Sequence, residues 1–272
     1  MIHPRRPLRV TLVGVDGCGK TTTANRLCEH DVMVLPTYHP HETTDSPFRD
    51  LCQHLQTLSV VADRLRSPQL KVAAIYLLLR TYAPTERFLT RTLAPHTIIS
   101  DGHPLIDSLV YLPLYRRRAT AMAARVPDWQ AAVEPNTRRA ILTWTQRIEC
   151  EPDLWALGRR LLSLHTPNRG KLLLILSGLL RVELPDVVIH LDIEVAEALH
   201  RLGDGERRNE LRDATTQLSS VRAEYEAVLS WLATQPAPVT VHRIACGTGR
   251  TVDEIATEVA DHLNARVLIA AG

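Results

Sequence analysis

Five short runs of apolar and β-branched residues alternate along the chain with longer stretches whose apolar positions recur at a helical period. Each run is nearly all apolar, as expected for parallel strands that helices cover on both faces. Such alternation is typical of βαβ units. The predicted strands are Arg9–Val13, Val32–Leu35, Thr97–Ser100, Val187–Leu191 and Val239–Ile244. The pattern predicts a three-layer α/β/α fold around a parallel sheet.

The helical pattern recurs in six stretches outside the long interval between the third and fourth strands. The predicted helices are Lys20–His30, Phe48–Leu65, Leu70–Leu93, Val195–Leu202, Thr215–Leu232 and Val252–Asn264. We expect Pro84 to kink or divide the third of them, because proline removes a helical hydrogen bond.

The interval Gly102–Pro185 is far longer than one crossover helix requires. It contains amphipathic patterns around Arg138–Ile148 and Leu154–Leu164, followed by an apolar run after Gly170. We interpret residues 112–184 as a helical insertion, packed on one side of the core, in a single domain that covers residues 1–272.

The composition of the 272 residues, 45% hydrophobic and 23% charged, is ordinary for a soluble globular protein. A formal net charge of +2 indicates neither nucleic acid nor an anionic membrane as a partner. The five cysteines are scattered, which argues against a disulfide framework or a zinc site and suits a reducing compartment. The N-terminal apolar run is short and favours a strand over a signal peptide. We therefore expect a cytoplasmic protein.

The segment Gly14–Thr21, GVDGCGKT, fits the phosphate-binding pattern GxxxxGK[ST] and lies between a predicted strand and a helical pattern. Its glycines let backbone N–H groups converge on phosphates at a helix N-terminus. Lys20 is expected to reach the β- and γ-phosphates, and the Thr21 hydroxyl to ligate Mg²⁺. The predicted nucleotide-binding residues are Gly14, Asp16, Gly17, Cys18, Gly19, Lys20, Thr21 and Thr22.

Several segments together resemble the thymidylate kinase family of P-loop kinases. GVDGCGKTT at 14–22 resembles that family's loop, and IISD at Ile98–Asp101 resembles the strand that ends in its Asp-Arg-Tyr motif. PDVVIHLDI at Pro185–Ile193 is similar to the strand before the lid, VRAEY at Val221–Tyr225 to the helix after it, and Val252–Leu263 to the final helix. The resemblance implies a P-loop kinase fold, ATP and Mg²⁺ as cofactors, a small-molecule phosphoryl acceptor and a homodimer.

The resemblance also implies a lid at residues 201–212, a stretch rich in arginine. Arg207 and Arg208 could close over the transferred phosphate, and the open alternative is a solvated charged turn. Asp101 ends a buried strand, where ligands gather in α/β sheets; capping of the following helix is its alternative. The predicted catalytic residues are thus Lys20, Asp101, Arg207 and Arg208, and the predicted metal ligands are Thr21 and Asp101.

On the acceptor side, the predicted substrate-binding residues are Asp16, Arg49, Arg80 and His103. In the family the aspartate at position 16 faces the acceptor, and Arg80 falls where the family has a substrate-contacting arginine on a helix. A turn residue and a helix-surface arginine are the open alternatives. His103, with His39 and His41, could line the acceptor pocket, or these histidines could be exposed in loops. Cys18 is interpreted as a small residue that fills the loop.

Two arginines of the family's acceptor site are missing. Asp101 is followed by Gly102 and His103, and the second strand leads into Pro36-Thr37-Tyr38 with the nearest arginine at Arg49. Each lost charge-assisted contact to a phosphate is worth about 1.5–3 kcal/mol. Arg116–Arg118 could compensate, or could be the solvated start of a helix. The departures favour an acceptor other than dTMP, such as a nucleoside, a sugar-like compound or an antibiotic.

The sequence thus favours an ATP- and Mg²⁺-dependent kinase with an altered acceptor. Two alternatives stay open. The first is a true dTMP or nucleoside monophosphate kinase whose arginines have migrated. The second is a nucleotide-binding regulatory or scaffold protein that transfers nothing.

Overall fold

The computed structural model describes residues 6–28, 32–38, 46–121, 126–149, 153–164, 166, 168–203, 208–236 and 239–271, with the side chains of 208–213 and 265–271 left outside the description. The strands are β1 (Leu8–Val13), β2 (Val32–Pro36), β3 (Thr97–Asp101), β4 (Val187–Asp192) and β5 (Thr240–Ala245). The helices are α1 (Lys20–Arg26), α2 (Arg49–Arg64), α3 (Pro68–Leu79), α4 (Tyr82–Leu93), α5 (Pro104–Ala121), α6 (Pro135–Glu149), α7 (Leu154–Leu162), α8 (Arg169–Leu180), α9 (Val195–Leu202), α10 (Arg208–Ala233) and α11 (Val252–Ala271). Within these described ranges, no helix combines the length and apolar character needed to cross a membrane.

The five strands form one parallel sheet in the order β2-β3-β1-β4-β5, which confirms the predicted α/β fold with a parallel sheet. The central strand β1 pairs with β3 and β4, so that Val10 lies beside Ile99 on one side and Val187 on the other. The chain leaves β1 toward one edge and later returns to build the other edge. Ligands of open α/β sheets bind at the carboxyl end of the strands at such a switch point.

The chain divides into two compact units. The first comprises residues 1–36, 92–107 and 184–272 and contains the whole sheet. The second comprises residues 37–91 and 108–183 and is helical throughout its regular structure. The interpretation of the chain as one domain with an insertion at 112–184 stays a prediction.

The predicted helix Leu70–Leu93 is two helices, α3 and α4, that separate at Arg80 and Thr81. Ser67 caps α3 by accepting a hydrogen bond from the Leu70 amide, with Pro68 at the first helical position. Pro84 lies in the first turn of α4, where its missing N–H costs no helical hydrogen bond, and not at the break itself.

Helix α5 was absent from the sequence-based expectation, and it contains Pro113. This 18-residue helix was not predicted because it contains a proline and has little amphipathic pattern. Arg116–Arg118 therefore lies near the C-terminal end of α5, and its interpretation as a helix start was wrong. Cations are favoured at that end because the last carbonyl groups of a helix carry partial negative charge.

Within the second unit, α7 and α3 approach closely at Gly158. A Cβ atom added there would lie 2.0 Å from the Gln69 carbonyl oxygen. We expect Gly158→Ala to lower the free energy of unfolding by about 1–3 kcal/mol, because backbone atoms must move apart. The control is Gly178→Ala in α8, where nothing lies within 4 Å of the added atom; it should raise the free energy by up to about 1 kcal/mol. Urea denaturation measures both, and equal effects would contradict the close approach.

Candidate active site

The predicted phosphate-binding loop connects the buried end of β1 to α1, and two of its glycines have no room for a side chain. Gly14 has a φ of 149°, and a Cβ there would lie 2.5 Å from the Leu191 carbonyl oxygen. Gly17 has a φ of 83°, and its Cβ would lie 2.6 Å from the Ala198 carbonyl oxygen. Gly19, also at positive φ, is the N-cap of α1. The loop therefore packs tightly against β4 and α9, with its backbone at a helix N-terminus.

The Lys20 side chain folds back over this loop. Its Nζ donates to the Gly14 and Val15 carbonyl oxygens, at 2.9 and 3.1 Å. Burial by itself would lower the pKa of Lys20, yet the neighbouring acidic groups raise it above its ordinary value. These groups are Cys18, which contributes only where its thiol is ionised, and the carboxylates of Asp16, Asp101 and Asp107, which carry the negative charge at neutral pH. The ammonium therefore stays protonated at neutral pH and is a fixed positive charge for a phosphate.

The two predicted metal ligands are in direct contact. The Thr21 hydroxyl, in the first turn of α1, donates to Oδ2 of Asp101 at the end of β3. Asp101 is buried, with 8% of its surface exposed. A hydroxyl and a carboxylate are oxygen ligands of the kind Mg²⁺ prefers, and Mg²⁺ usually keeps several waters besides one or two protein ligands. The donor set therefore fits a magnesium ion.

The other predicted residues of the loop differ in exposure. Asp16 is exposed, and its Oδ1 lies 3.8 Å from the Lys20 ammonium. Thr22 is also exposed. The Cys18 thiol is buried, and burial raises its pKa. A neutral buried thiol agrees with the interpretation of Cys18 as a residue that fills the loop.

His103 follows β3 and lies buried at the start of α5. Its Nδ1 accepts a hydrogen bond from the Leu105 amide at 3.3 Å, and its own amide donates to Oδ2 of Asp107 at 3.0 Å. Because Nδ1 already accepts a backbone N–H, this atom does not serve as a base for a substrate proton. The prediction that His103 binds the acceptor thus concerns its other ring nitrogen and stays a prediction.

Asp107 is a buried residue of the site that the sequence analysis missed. It is 2% exposed, and its Oδ1 accepts the phenolic hydrogen of Tyr225, on α10, at 2.9 Å. An isolated acidic residue within the apolar run Leu105–Val110 was the signal that could have revealed it. The contact joins α10 to the start of α5.

Removing the hydroxyl group of Tyr225 should leave the buried Asp107 carboxylate with one partner fewer. We expect Tyr225→Phe to lower the free energy of unfolding by about 1–3 kcal/mol. Ser220→Ala removes an exposed hydroxyl on the same helix that bonds the Thr216 carbonyl oxygen, and should change stability by less than about 0.5 kcal/mol. Chemical denaturation monitored by circular dichroism compares the two variants, and equal small effects would show that the buried contact contributes little.

A second polar network lies at the carboxyl end of β4. Arg222 forms two hydrogen bonds with Asp192, at 3.0 and 3.3 Å, and two with Glu194, at 3.0 and 2.8 Å. Although partial burial acts to raise the pKa of Asp192, the hydrogen bonds and charge of Arg222, with the charge of Arg243, lower it. Arg222 belongs to the segment that resembles the family's VR-x-x-Y helix, and these bonds occupy its guanidinium group.

The ligand atoms of His190, Asp192 and Glu226 lie within 4.8 Å of one another, a grouping compatible with a metal ion. However, Arg243 contacts both carboxylates, and Arg222 contacts Asp192 as well. Burial lowers the pKa of His190, whose ring stacks on Tyr225. Two guanidinium groups thus already neutralise the two acids, and the cluster is an ion-pair network.

The remaining predicted acceptor residues lie in the second unit. Arg49 is exposed at the first position of α2. Nη1 of Arg80 donates to the Leu179 carbonyl oxygen at the end of α8, and its Nε is buried without a hydrogen-bond partner among the described residues. This contact supports α8 and is a structural use of Arg80; its substrate contact stays a prediction.

The predicted lid is described only in part. Residues 201 and 202 end α9, and residues 208–212 belong to α10 by their backbone. Arg201 donates to Oε1 of Glu197 and to the Cys246 carbonyl oxygen. Arg207, His39 and His41 lie outside the described residues, as does the side chain of Arg208. The catalytic role of the lid arginines stays a prediction.

No protein-family model matches this sequence, and no curated protein matches it at a significant level. Solved structures do match. The structure of thymidylate kinase from Candida albicans aligns with a TM-score of 0.50 and 16% identity, covering 96% of this chain and 92% of that chain. A deoxyadenosine kinase from M. mycoides, with dCMP and dCDP bound, aligns with a TM-score of 0.49 and 12% identity over 95% and 100% of the two chains.

At this level of identity the comparison concerns the fold. The five-stranded parallel sheet of this chain, with its helices, matches the α/β P-loop kinase fold of that thymidylate kinase. The expected resemblance is confirmed at that level: this chain has the α/β P-loop kinase fold and is structurally similar to a thymidylate kinase.

Proposed function

We propose that this protein is an ATP- and Mg²⁺-dependent kinase that transfers the γ-phosphate to a small-molecule acceptor other than dTMP. The observation that carries the proposal is the contact between Thr21 and Asp101 beside the Lys20 ammonium, at the carboxyl ends of β1 and β3. A phosphate-binding loop, a lysine and an oxygen donor set for magnesium are the parts that the donor side of phosphoryl transfer needs.

The donor half is assigned as follows. The backbone amides of the loop and the N-terminus of α1 hold the phosphates, and Lys20 leaves the Gly14 and Val15 carbonyl oxygens to contact the β- and γ-phosphates. Thr21 and Asp101 hold Mg²⁺, which supplies positive charge against the phosphate oxygens. Because little covalent chemistry falls to the protein, its contribution is positioning and charge neutralisation.

In the proposed reaction an acceptor hydroxyl oxygen forms a bond to the γ-phosphorus while the bond to the departing ADP oxygen breaks, and the hydroxyl proton is released to solvent. Asp16 lies exposed at the loop, 3.8 Å from the lysine ammonium, and is assigned to orient the acceptor. Arg207 and Arg208 are assigned to the migrating phosphoryl group. Arg49, Arg80 and His103 are the further proposed acceptor residues.

The proposal of an acceptor other than dTMP rests on the segment after Asp101. Gly102 has a φ of 81°, a backbone conformation that residues with a side chain rarely adopt. It also provides no positive charge at the position where the thymidylate kinase family has an arginine. Losing a charge-assisted contact to a monophosphate costs about 1.5–3 kcal/mol. This favours an acceptor that carries a hydroxyl group in place of a phosphate, such as a nucleoside, a sugar-like compound or an antibiotic.

The experiment is a panel of acceptors incubated with ATP and Mg²⁺, read by ADP release and by the mass of the products. We expect one class of hydroxyl-bearing acceptors to stimulate ADP release and to gain one phosphoryl group, with little turnover of dTMP. Efficient phosphorylation of dTMP would contradict the altered acceptor. Tight ATP binding without stimulation by any acceptor would instead favour the regulatory alternative.

The remaining expectations belong to the same proposal. We propose a cytoplasmic protein that acts as a homodimer, with residues 112–184 as an insertion and 201–212 as a lid. Sedimentation at several protein concentrations tests the homodimer directly.

A further inference from the structure

An open surface pocket of about 700 Å³ lies in the second unit, and none of its described lining residues is assigned to phosphoryl transfer. It is bounded by the segment 126–130, which precedes α6, and by residues 153–155, where α7 begins. A volume of several hundred cubic ångströms is the size of pockets that bind small molecules. None of its eight described lining residues is basic.

The apolar part of the lining consists of two tryptophans together with Val126, Pro127 and Leu154. Trp129 is 6% exposed, and Trp155 is half-buried beside Leu154, which is 1% exposed. Indole is the side chain whose face attracts cations most strongly, because its π-electrons place negative charge above the ring. Two indole groups that line one pocket therefore favour a ligand with an apolar surface and a positive charge.

The acidic part of the lining consists of two exposed carboxylates. Oδ1 of Asp128 accepts the Ala131 amide at 3.2 Å, and Oδ1 of Asp153 accepts the Ala156 amide at 2.9 Å as the N-cap of α7. These bonds hold each carboxylate in place through one of its two oxygens. Two fixed negative charges, with no basic residue among the eight described residues that line the pocket, attract a cation and repel an anion.

We infer that this cavity binds a small organic cation, an alkylated or quaternary ammonium compound whose charged head lies against the indoles and between the two carboxylates. The inference uses only residues of the second unit and is independent of the proposed kinase activity. The plain alternative is that Asp128 and Asp153 act only as caps for the backbone amides that follow them.

The test is a titration with choline in the absence of ATP, followed through the indole N–H signals in ¹H–¹⁵N NMR spectra. The chain has four tryptophans. Trp129 and Trp155 line the cavity, whereas Trp144 donates its indole N–H to the Leu77 carbonyl oxygen and Trp231 belongs to α10. We expect saturable shifts of the first two signals, and Trp144 and Trp231 provide internal controls for folding.

The neutral probe is 3,3-dimethylbutan-1-ol, which has the shape of choline without its charge. Choline should bind roughly 3- to 30-fold more tightly than this alcohol, the ratio expected for a cation between indoles and carboxylates. Equal affinities, or shifts of all four indole signals alike, would overturn the inference.

Two substitutions separate ligand binding from capping. Asp128→Asn and Asp153→Asn each keep an oxygen that accepts the backbone amide, but remove the charge. We expect each to weaken choline binding about 2- to 5-fold and the pair about 10-fold, without displacing the Trp144 signal. Asp63→Asn, at an exposed carboxylate that pairs with Lys71, is the matched control and should leave binding unchanged. An unaltered dissociation constant for choline in the double variant would show that the two aspartates act only as caps, and would overturn the inference.

Discussion

Replacing Lys20 with methionine should lower the rate of acceptor phosphorylation roughly 10²- to 10³-fold, the usual cost of removing one preorganised charge contact from a transition state. Methionine keeps most of the side-chain volume but lacks the ammonium group that now donates to the Gly14 and Val15 carbonyl oxygens. The measurement is the single-turnover rate of phosphoryl transfer at saturating ATP, which separates the chemical step from nucleotide binding.

Lys171→Met is the matched control for this substitution. Lys171 is exposed on α8, in the second unit, and its loss should leave the rate unchanged. The pKa of Lys20 is raised above its ordinary value, so its charge is constant through the neutral range. A change in the wild-type rate between pH 6 and 8 is therefore not expected from this group. A Lys20→Met protein with the wild-type rate would contradict the proposed donor site.

The second large effect is expected at Asp101. Asp101→Asn keeps an oxygen that can accept the Thr21 hydroxyl but removes the negative charge that attracts magnesium. We expect the phosphorylation rate to fall about 10²-fold at a fixed Mg²⁺ concentration, and the Mg²⁺ concentration at half-maximal rate to rise. The measurement is the rate as a function of Mg²⁺ at constant ATP.

The same titration distinguishes a metal site from a helix cap. Were Asp101 only a structural partner of Thr21, Asp101→Asn would change the Mg²⁺ midpoint no more than the control Asp63→Asn, which removes an exposed charge in the second unit. An unaltered midpoint together with a lower melting temperature would therefore contradict the metal assignment. A raised midpoint in a protein of wild-type stability would support it.

The regular structure was largely predictable because the strand signal is local. The runs at β1 and β4 are apolar and β-branched, and the structure places them in the sheet within one residue of the predicted bounds. Helix α9 has the predicted bounds, Val195–Leu202. By contrast, α5 contains Pro113 and little amphipathic pattern, so that local sequence signals pointed away from a helix that tertiary packing stabilises.

The donor side of the site was also predictable, because the residues that bind the phosphates are neighbours in one short sequence pattern. Gly14, Lys20 and Thr21 lie within eight consecutive residues, and their spacing alone defines a phosphate-binding loop. Asp101 is 80 residues from Thr21 along the chain, and its inclusion rested on the position of its strand end. The parallel pairing of β1 with β3 confirms that these strand ends meet at one edge of the sheet.

Contacts between residues that are distant in sequence were not predictable where no single motif contains both residues. The hydrogen bond between Tyr225 and Asp107 spans 118 residues, and the bonds between Arg222 and Asp192 span 30. Arg222 and Tyr225 belong to VRAEY and Asp192 to PDVVIHLDI, but neither resemblance names a partner for these side chains. Only the packing of α10 against the rest of the first unit shows that the four side chains form two buried or half-buried pairs.

By itself the sequence determined the fold class and the phosphate-binding loop of this protein, because hydrophobic periodicity and glycine spacing are properties of neighbouring residues. The tertiary structure alone decided which carboxylates Arg222 and Arg243 contact, that the Thr21 hydroxyl donates directly to Asp101, and that two tryptophans and two aspartates line one pocket. The physical reason is that such contacts depend on the packing of whole helices and strands. This packing brings together side chains whose local sequences do not indicate which residue each will contact.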